Sequence, residues 1–239
     1  CALWALFTAL SARYSLPLWD VAAIPGAAAP SFALCALWVG AATRRRGERL
    51  RARFEQHLAP AVVQQIAEAP ARLRLRGEKR IVTSMFTDLA GFSTMADRTE
   101  PEAMIDALNA YFDGLTQIVF RHGGFVDKFV GDAMHALFNA PFDRESHARA
   151  ALAAALDIQA FSERFRQTAQ AKALGFGETR IGFETGPAVI GDVGGAGKLD
   201  YTAHGRTISA AARLEQANKL FGTQILIGQS AAALIGERR

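Results

Sequence analysis

The sequence predicts an α+β fold over residues 81–239, with helices on one face of a mostly antiparallel sheet. Three observations carry this reading. Short strand-like apolar runs recur from residue 81 to residue 227. Stretches with helical periodicity separate them. One pair of runs is joined only by Gly131-Asp132, the spacing of a two-residue hairpin. The resulting order is strand, helix, hairpin, helix, strands, helix, strand.

Residues 81–86 read as a strand leading into Thr87-Asp88-Leu89-Ala90-Gly91-Phe92-Ser93. Asp88 thus leaves a strand end beside a glycine-bearing turn, whose backbone N–H groups suit phosphate oxygens. Thr99, Pro101 and Glu102 predict a capping-box helix start with proline in the first turn, and Met104, Leu108, Phe112, Leu115 and Val119 mark its core face. Gly123 and Gly124 stop that helix. Residues 125–138 form the hairpin, with Asp132 at its tip. A long helix is expected over 143–171, its apolar stripe being Ala151, Leu152, Ala155, Ile158, Phe161 and Phe165. Residues 179–185 and 188–193 read as two strands separated by Gly186-Pro187. Residues 194–197 read as a flexible turn that lacks GxGxxG spacing. A helix begins near Thr207, a strand spans 224–227, and a short helix spans 230–235.

The chemistry lies at strand ends. If the hairpin lies beside the first strand, Asp88 and Asp132 converge, and two carboxylates on one edge can hold two Mg2+ or Mn2+ ions roughly 3.5–4 Å apart. Either aspartate alone is equally a turn former. Ser209 and Arg213 stand four apart on one helix face, where an arginine can grip phosphate or pair with a neighbouring acid.

Composition narrows the classes. Of 239 residues 50% are hydrophobic and 21% charged, which excludes a disordered chain. The net charge of +4 is concentrated at Arg44, Arg45, Arg46, Arg49, Arg51 and Arg53, directly after an apolar stretch. It reads as a membrane-topology signal and not as a nucleic-acid surface. The two cysteines, Cys1 and Cys35, are no disulfide framework, and the five histidines show no zinc spacing.

Residues 21–43 carry no charge, and a helix of that length reaches roughly 34 Å, enough to span a bilayer core. Pro25 and Pro30 interrupt its first half. Residues 1–12 read as the tail of an earlier span, so residues 1–46 are expected to form a transmembrane region whose arginine flank places the following domain in the cytoplasm. Cys1 at the start predicts a fragment of a longer protein. Residues 47–80 read as a helical connector, with Leu50, Phe54, Leu58, Val62 and Ile66 every fourth residue, an interruption at Pro60, and a polar loop over 72–79. The connector helix either pairs across a dimer or packs on its own domain.

Three ordered blocks carry a family resemblance: Phe86-Thr87-Asp88-Leu89-Ala90-Gly91-Phe92-Ser93, Asp127-Lys128-Phe129-Val130-Gly131-Asp132, and Tyr201-Thr202 through Arg213-Leu214-Glu215. Together they resemble the signature blocks of class III nucleotidyl cyclases, covering residues 81–235. The resemblance implies a ferredoxin-like catalytic domain over 81–239 that converts ATP to 3′,5′-cyclic AMP and pyrophosphate at the cell membrane. It implies Asp88 and Asp132 as ligands for two Mg2+ or Mn2+ ions, and Gly91 and Phe92 beside the nucleotide. Lys128 would contact the purine with Thr202 as its partner, a pairing that resembles adenine selection. Arg213 would stabilise the pentavalent phosphorus, with Ser209 near ribose or phosphate. It implies a homodimer that shares each site between subunits. The apolar spans and connector resemble cyclases with a CHASE2-type sensor ahead of several membrane helices. The chain departs from the family at Ser209, where asparagine is usual, and at Arg206 and His204. The family's triphosphate-binding lysine is expected beyond Arg239. These departures motivate an alternative, a degenerate cyclase domain acting as a dimeric nucleotide sensor.

Overall fold

The computed structural model describes residues 34–35, 37–38, 77–195 and 198–236. They fall into two units, one within Cys1–Leu50 and one within Arg51–Arg239. In the first, Leu34, Cys35, Leu37 and Trp38 are helical and exposed. Among the described residues no helix is long and apolar enough to cross a membrane. The expected spans at 1–12 and 21–43 lie almost wholly outside the described residues, as does the connector up to residue 76.

The second unit is built on a six-stranded sheet in the order β2-β3-β1-β4-β5, with β6 also paired to β4. β1 (Glu78–Leu89) pairs antiparallel with β4 (Thr179–Gly195) along its whole length, and with β3 (Ala133–Phe138) over Thr83–Thr87. β2 (Phe125–Val130) and β3 form the expected hairpin, closed by Gly131 at φ 63° and Asp132. β5 (Lys198–His204) runs antiparallel to the far half of β4, and β6 (Ile225–Ile227) parallel to its near half.

Side chains alternate across the sheet. Thr83, Met85, Thr87 and Leu89 share one face with Ile181 and Phe183. That face is covered by α2 (Pro101–Arg121) and α3 (His147–Arg166). The predicted stripes sit there: Leu108, Leu115 and Val119 from α2, and Ala151, Ala155 and Ile158 from α3, are all buried. Thr83 Oγ1 meets His147 Nδ1 at 2.8 Å, and the Tyr111 hydroxyl meets Thr179 Oγ1 at 2.5 Å, tying both helices to the strands.

The structure corrects five expectations. The helices do not all lie on one face, since α5 (Arg206–Phe221) covers the opposite one. It can do so because β4 carries Gly182 there, where a β-carbon would sit 2.0 Å from the Glu215 backbone nitrogen. Residues 179–195 form one strand and not two. Pro187 does not break it because its carbonyl points away from β1 and accepts from Thr207 Oγ1 at 2.8 Å, so the missing N–H also falls on the side away from β1, between the stretches that pair with β6 and β5. The long helix over 143–171 is two helices. Thr168 Oγ1 accepts from the Ala171 N–H at 3.2 Å and so starts α4 (Ala169–Leu174), which Gly175 ends at φ 70°. The capping box does not form, since Glu100 caps α2 without a side-chain bond and Thr99 Oγ1 donates back to the Met95 carbonyl. The polar loop gives way to β1 at Glu78, where pairing with Ile190 extends the strand. Two short helices, α1 (Phe92–Ala96) and α6 (Gln229–Gly236), complete the unit.

Candidate active site

The sheet presents three groups of polar side chains on or beside the face that α5 covers. The first surrounds Asp88. In the antiparallel register Asp88 lies opposite Arg180, and Arg180 Nη2 reaches Asp88 Oδ2 at 2.5 Å. The hairpin tip folds back so that Asp132 Oδ2 accepts the Leu89 backbone N–H at 3.2 Å. Asp88 and Asp132 therefore converge as predicted. Burial, and next the neighbouring Asp88 carboxylate, push the Asp132 carboxyl above the ordinary aspartate range. Two carboxylates forced together this way attract a divalent cation, and their hard oxygens suit Mg2+ or Mn2+. Among the described residues no three His, Cys, Asp or Glu side chains form a closed cage. A two-carboxylate site fits a metal whose other positions are taken by water and substrate phosphate.

Glu215 on α5 completes this group and was not anticipated. Its Oε1 lies 3.4 Å from Arg180 Nε, yet neither atom has a hydrogen-bond partner among the described residues. An arginine at this distance favours the ionised acid, but burial and the Asp88 charge outweigh it and raise the Glu215 carboxyl to about 7. The outcome follows from geometry, since Arg180 is committed to Asp88 by its shorter contact. An acid whose folded value exceeds its unfolded value stabilises the fold fully below about 4.5, and loses that contribution as pH rises through about 7. Glu215→Gln is therefore expected to be more stable than the parent above pH 7, by about 1–3 kcal/mol in metal-free protein, with the gap closing below pH 4.5. Urea unfolding of both proteins across pH 4–8 measures this.

The second group lies where the two outer strands meet. The sheet curls until β2 and β5, opposite ends of its order, touch: Phe125 and Tyr201 stack edge to face at 5.8 Å, and Thr202 Oγ1 donates to Asp127 Oδ2 at 2.9 Å. A bulge between Val126 and Lys128 frees Asp127 from the ladder and aims it inward. His135 Nδ1 donates to the same oxygen at 2.7 Å, and Lys128 Nζ lies 3.4 Å from it. Burial alone would raise the Asp127 carboxyl, but His135, Thr202 and Lys128 together hold it below the ordinary range, so it is ionised at neutral pH. Lys128 remains 44% exposed and can meet a ligand, whereas Thr202 is buried. The predicted pair thus comes together, joined by Asp127.

The third group lines a groove of about 1090 Å³ between α5, β4 and the start of α6, and includes Arg206, Ser209, Arg213, Glu184 and Gln229. Ser209 and Arg213 share it, and Arg213 makes no ion pair among the described residues, so the alternative of a pairing acid is not realised there. Asp88, Asp132, Lys128 and Thr202 do not line this groove.

Gly91, at φ 74°, precedes α1, and a β-carbon there would meet nothing within 4 Å, so the backbone is open beside Asp88. The Phe92 ring, expected at the nucleotide, is half-buried and packs against the core with its remaining surface open. Asp127, His135, Arg180 and Glu215 escaped the sequence reading. Each acts through a partner remote in sequence, and only the adjacency of Asp127 to Lys128 offered a signal.

Comparison with known proteins gives one consistent answer. A family model described as the adenylate and guanylate cyclase catalytic domain matches residues 76–237. Adenylate cyclase 1 of Rhizobium meliloti (strain 1021) is 39% identical over 152 residues, covering 64% of this chain and 23% of that protein. An adenylate cyclase of Anabaena cylindrica is 32% identical over 155 residues, covering 63% of this chain and 30% of that protein. The chain thus spans less than a third of these relatives. Among solved structures, the guanylyl cyclase Cya2 is 30% identical with a TM-score of 0.62, covering 68% of this chain and 81% of that one. The adenylyl cyclase CyaB from P. aeruginosa is 31% identical with a TM-score of 0.61, covering 67% and 83%.

Proposed function

The chain belongs to the adenylate and guanylate cyclase catalytic-domain family, class III, and we propose that within it this protein converts ATP to 3′,5′-cyclic AMP and pyrophosphate at a homodimer interface. The observation that carries the reading is the convergence of Asp88, from β1, with Asp132, from the hairpin tip, into a site suited to divalent cations. Lys128 and Thr202 support ATP as the substrate, since lysine donates to a purine ring nitrogen that is an acceptor in adenine and a donor in guanine.

In the proposed reaction the ribose 3′-hydroxyl gives up its proton to solvent as its oxygen attacks the α-phosphorus in line, a P–O bond forms, the bond from the α-phosphorus to the bridging oxygen breaks, and pyrophosphate leaves with that electron pair. Asp88 and Asp132 would hold two Mg2+ or Mn2+ ions, which would supply activation of the attacking hydroxyl and neutralisation of phosphate charge. Arg180 keeps Asp88 oriented at 2.5 Å. Backbone N–H groups after Gly91 face phosphate oxygens. Arg213, with Ser209 beside it, places guanidinium donors where charge develops on phosphorus. That Arg213 lines a groove which Asp88 and Asp132 do not line supports a site completed by a second subunit.

We propose further that residues 1–46 anchor the protein in the cell membrane and that residues 47–80 connect this anchor to a cytoplasmic catalytic domain. The charge-free run over 21–43 and the arginines after it support this, and a CHASE2-type sensor ahead of them is part of the same proposal.

The test is product analysis on the purified chain with Mn2+ and either ATP or GTP. Cyclic AMP as the main product is expected. ATP binding without turnover would favour the degenerate sensor reading that Ser209 motivates, and cyclic GMP as the main product would overturn the assignment of substrate.

A further inference from the structure

Asp127, His135, Ser84 and Thr202 form a buried chain of hydrogen bonds that includes neither Asp88 nor Asp132. Asp127, whose side chain is 1% exposed, receives two donors on one oxygen, His135 Nδ1 at 2.7 Å and Thr202 Oγ1 at 2.9 Å. The imidazole cannot turn away. It stacks on Phe86 with ring centroids 4.3 Å apart and planes 9° from parallel, and its Nε2 meets Ser84 Oγ at 2.9 Å. A carboxylate accepts and never donates, so Nδ1 carries a proton and the single hydroxyl proton of Thr202 is committed to Asp127. What Thr202 can still offer a ligand is its lone pairs.

We propose that Asp127 and His135 are positioning residues that fix the direction of the Thr202 hydroxyl, so that it accepts a hydrogen bond from the exocyclic amino group of adenine and refuses the carbonyl oxygen of guanine. The inference deepens the adenine reading and rests on Lys128 and Thr202 being the pair that meets the base. Adenine presents an amino donor at its six position where guanine presents an oxygen acceptor. Thr202, acceptor-only in this setting, matches the first and leaves the second facing another acceptor. A buried polar atom left without a partner is what gives such sites their discrimination. Asp127 also holds Lys128 at 3.4 Å, which keeps the two base-facing groups at one spacing.

Asp127→Asn tests this directly. An amide can present N–H to Thr202, which frees the threonine proton to turn toward a guanine carbonyl. Equilibrium binding of fluorescent ATP and GTP analogues, together with kcat and KM for both nucleotides, gives the readout in the full chain. The ATP-over-GTP preference is expected to fall at least about tenfold in Asp127→Asn, with the change in Kd and KM and not in kcat, while Thr202→Ser keeps the parent preference. A folded Asp127→Asn that retains the preference, or that weakens both nucleotides equally, overturns the inference. Should Asp127→Asn fail to fold, His135→Phe, which keeps the stack but loses the N–H donor, is expected to lower the preference, and His135→Gln, which restores a donor to Asp127, to keep it. Equal preference in that pair also overturns the inference. A parent chain that favours GTP or binds neither nucleotide defeats the adenine reading itself. A parent that favours ATP while the variants keep its preference defeats this inference alone.

Discussion

Asp88→Ala is expected to lower the proposed cyclic-nucleotide formation by at least about a thousandfold, the largest effect of any single substitution in the proposed catalytic groups. Asp88 is held by Arg180 and lies against Asp132, so its loss removes one of two cation ligands and leaves the arginine charge in the place meant for the metal. Arg213→Ala is expected to lose activity for a different reason, since it empties the groove on α5 of the guanidinium proposed to meet phosphate. Because the two residues do not share one groove within a chain, the pair allows a decisive mixing experiment. Co-refolded Asp88→Ala and Arg213→Ala subunits form heterodimers in which one composite site is intact and the other lacks both groups. Random assortment should then restore about a quarter of parent activity. Metal-dependent turnover of each variant and of the mixture, with heterodimer content measured by differential tagging, reads this out. Absence of recovery in proven heterodimers would sink the shared-site arrangement, and an active Asp88→Ala would sink the metal assignment.

The second large effect is on stability. Gly182→Ala places a methyl group 2.0 Å from the Glu215 nitrogen and 2.6 Å from the Glu215 α-carbon, both backbone atoms that no rotamer change can move aside. The helix must lift from the sheet, which opens the contact that holds Glu215 near Arg180 and the bond from Asn218 Nδ2 to the Ile181 carbonyl at 2.9 Å. Overpacking against backbone is expected to cost about 3 kcal/mol or more, a fall of roughly 10 °C in Tm. Catalytic loss should accompany it, because Ser209 and Arg213 ride on the same helix. Gly222→Asn is the matched control. It sits at φ 63° with no atom within 4 Å of the added β-carbon, a conformation asparagine tolerates, so its effect should stay within about 1 kcal/mol. Calorimetry on both variants decides the matter, and a Gly182→Ala protein that melts with the parent would show that α5 is not seated on Gly182 as described.

Misreadings of the fold share a cause with residues missed at the site. Gly186-Pro187 looks like a strand break from composition, because the side of Pro187 on which pairing is absent depends on where β5 and β6 attach to β4. The face taken by α5 was illegible for the same reason, since glycine at 182 looks like a weak strand residue until a helix is seen to need the space. Arg180 is an ordinary strand residue until the register sets it opposite Asp88, 92 positions away. Asp127 is a neighbour of Lys128 in sequence, but its inward aim comes from a bulge, and its partner Thr202 lies 75 positions on.

What the chain settled alone depends on a few consecutive residues. The two-residue turn bearing Asp132 and the helix faces of α2 and α3 are local patterns of backbone preference and apolar spacing, and the three ordered blocks carry the resemblance to the cyclases in their residues. What required the folded molecule was the meeting of distant strands. The curl that brings β2 to β5, the register that pairs Asp88 with Arg180, and the seating of α5 on Gly182 arise from contacts whose energy exists only once the whole sheet has closed, so no window of sequence carries them.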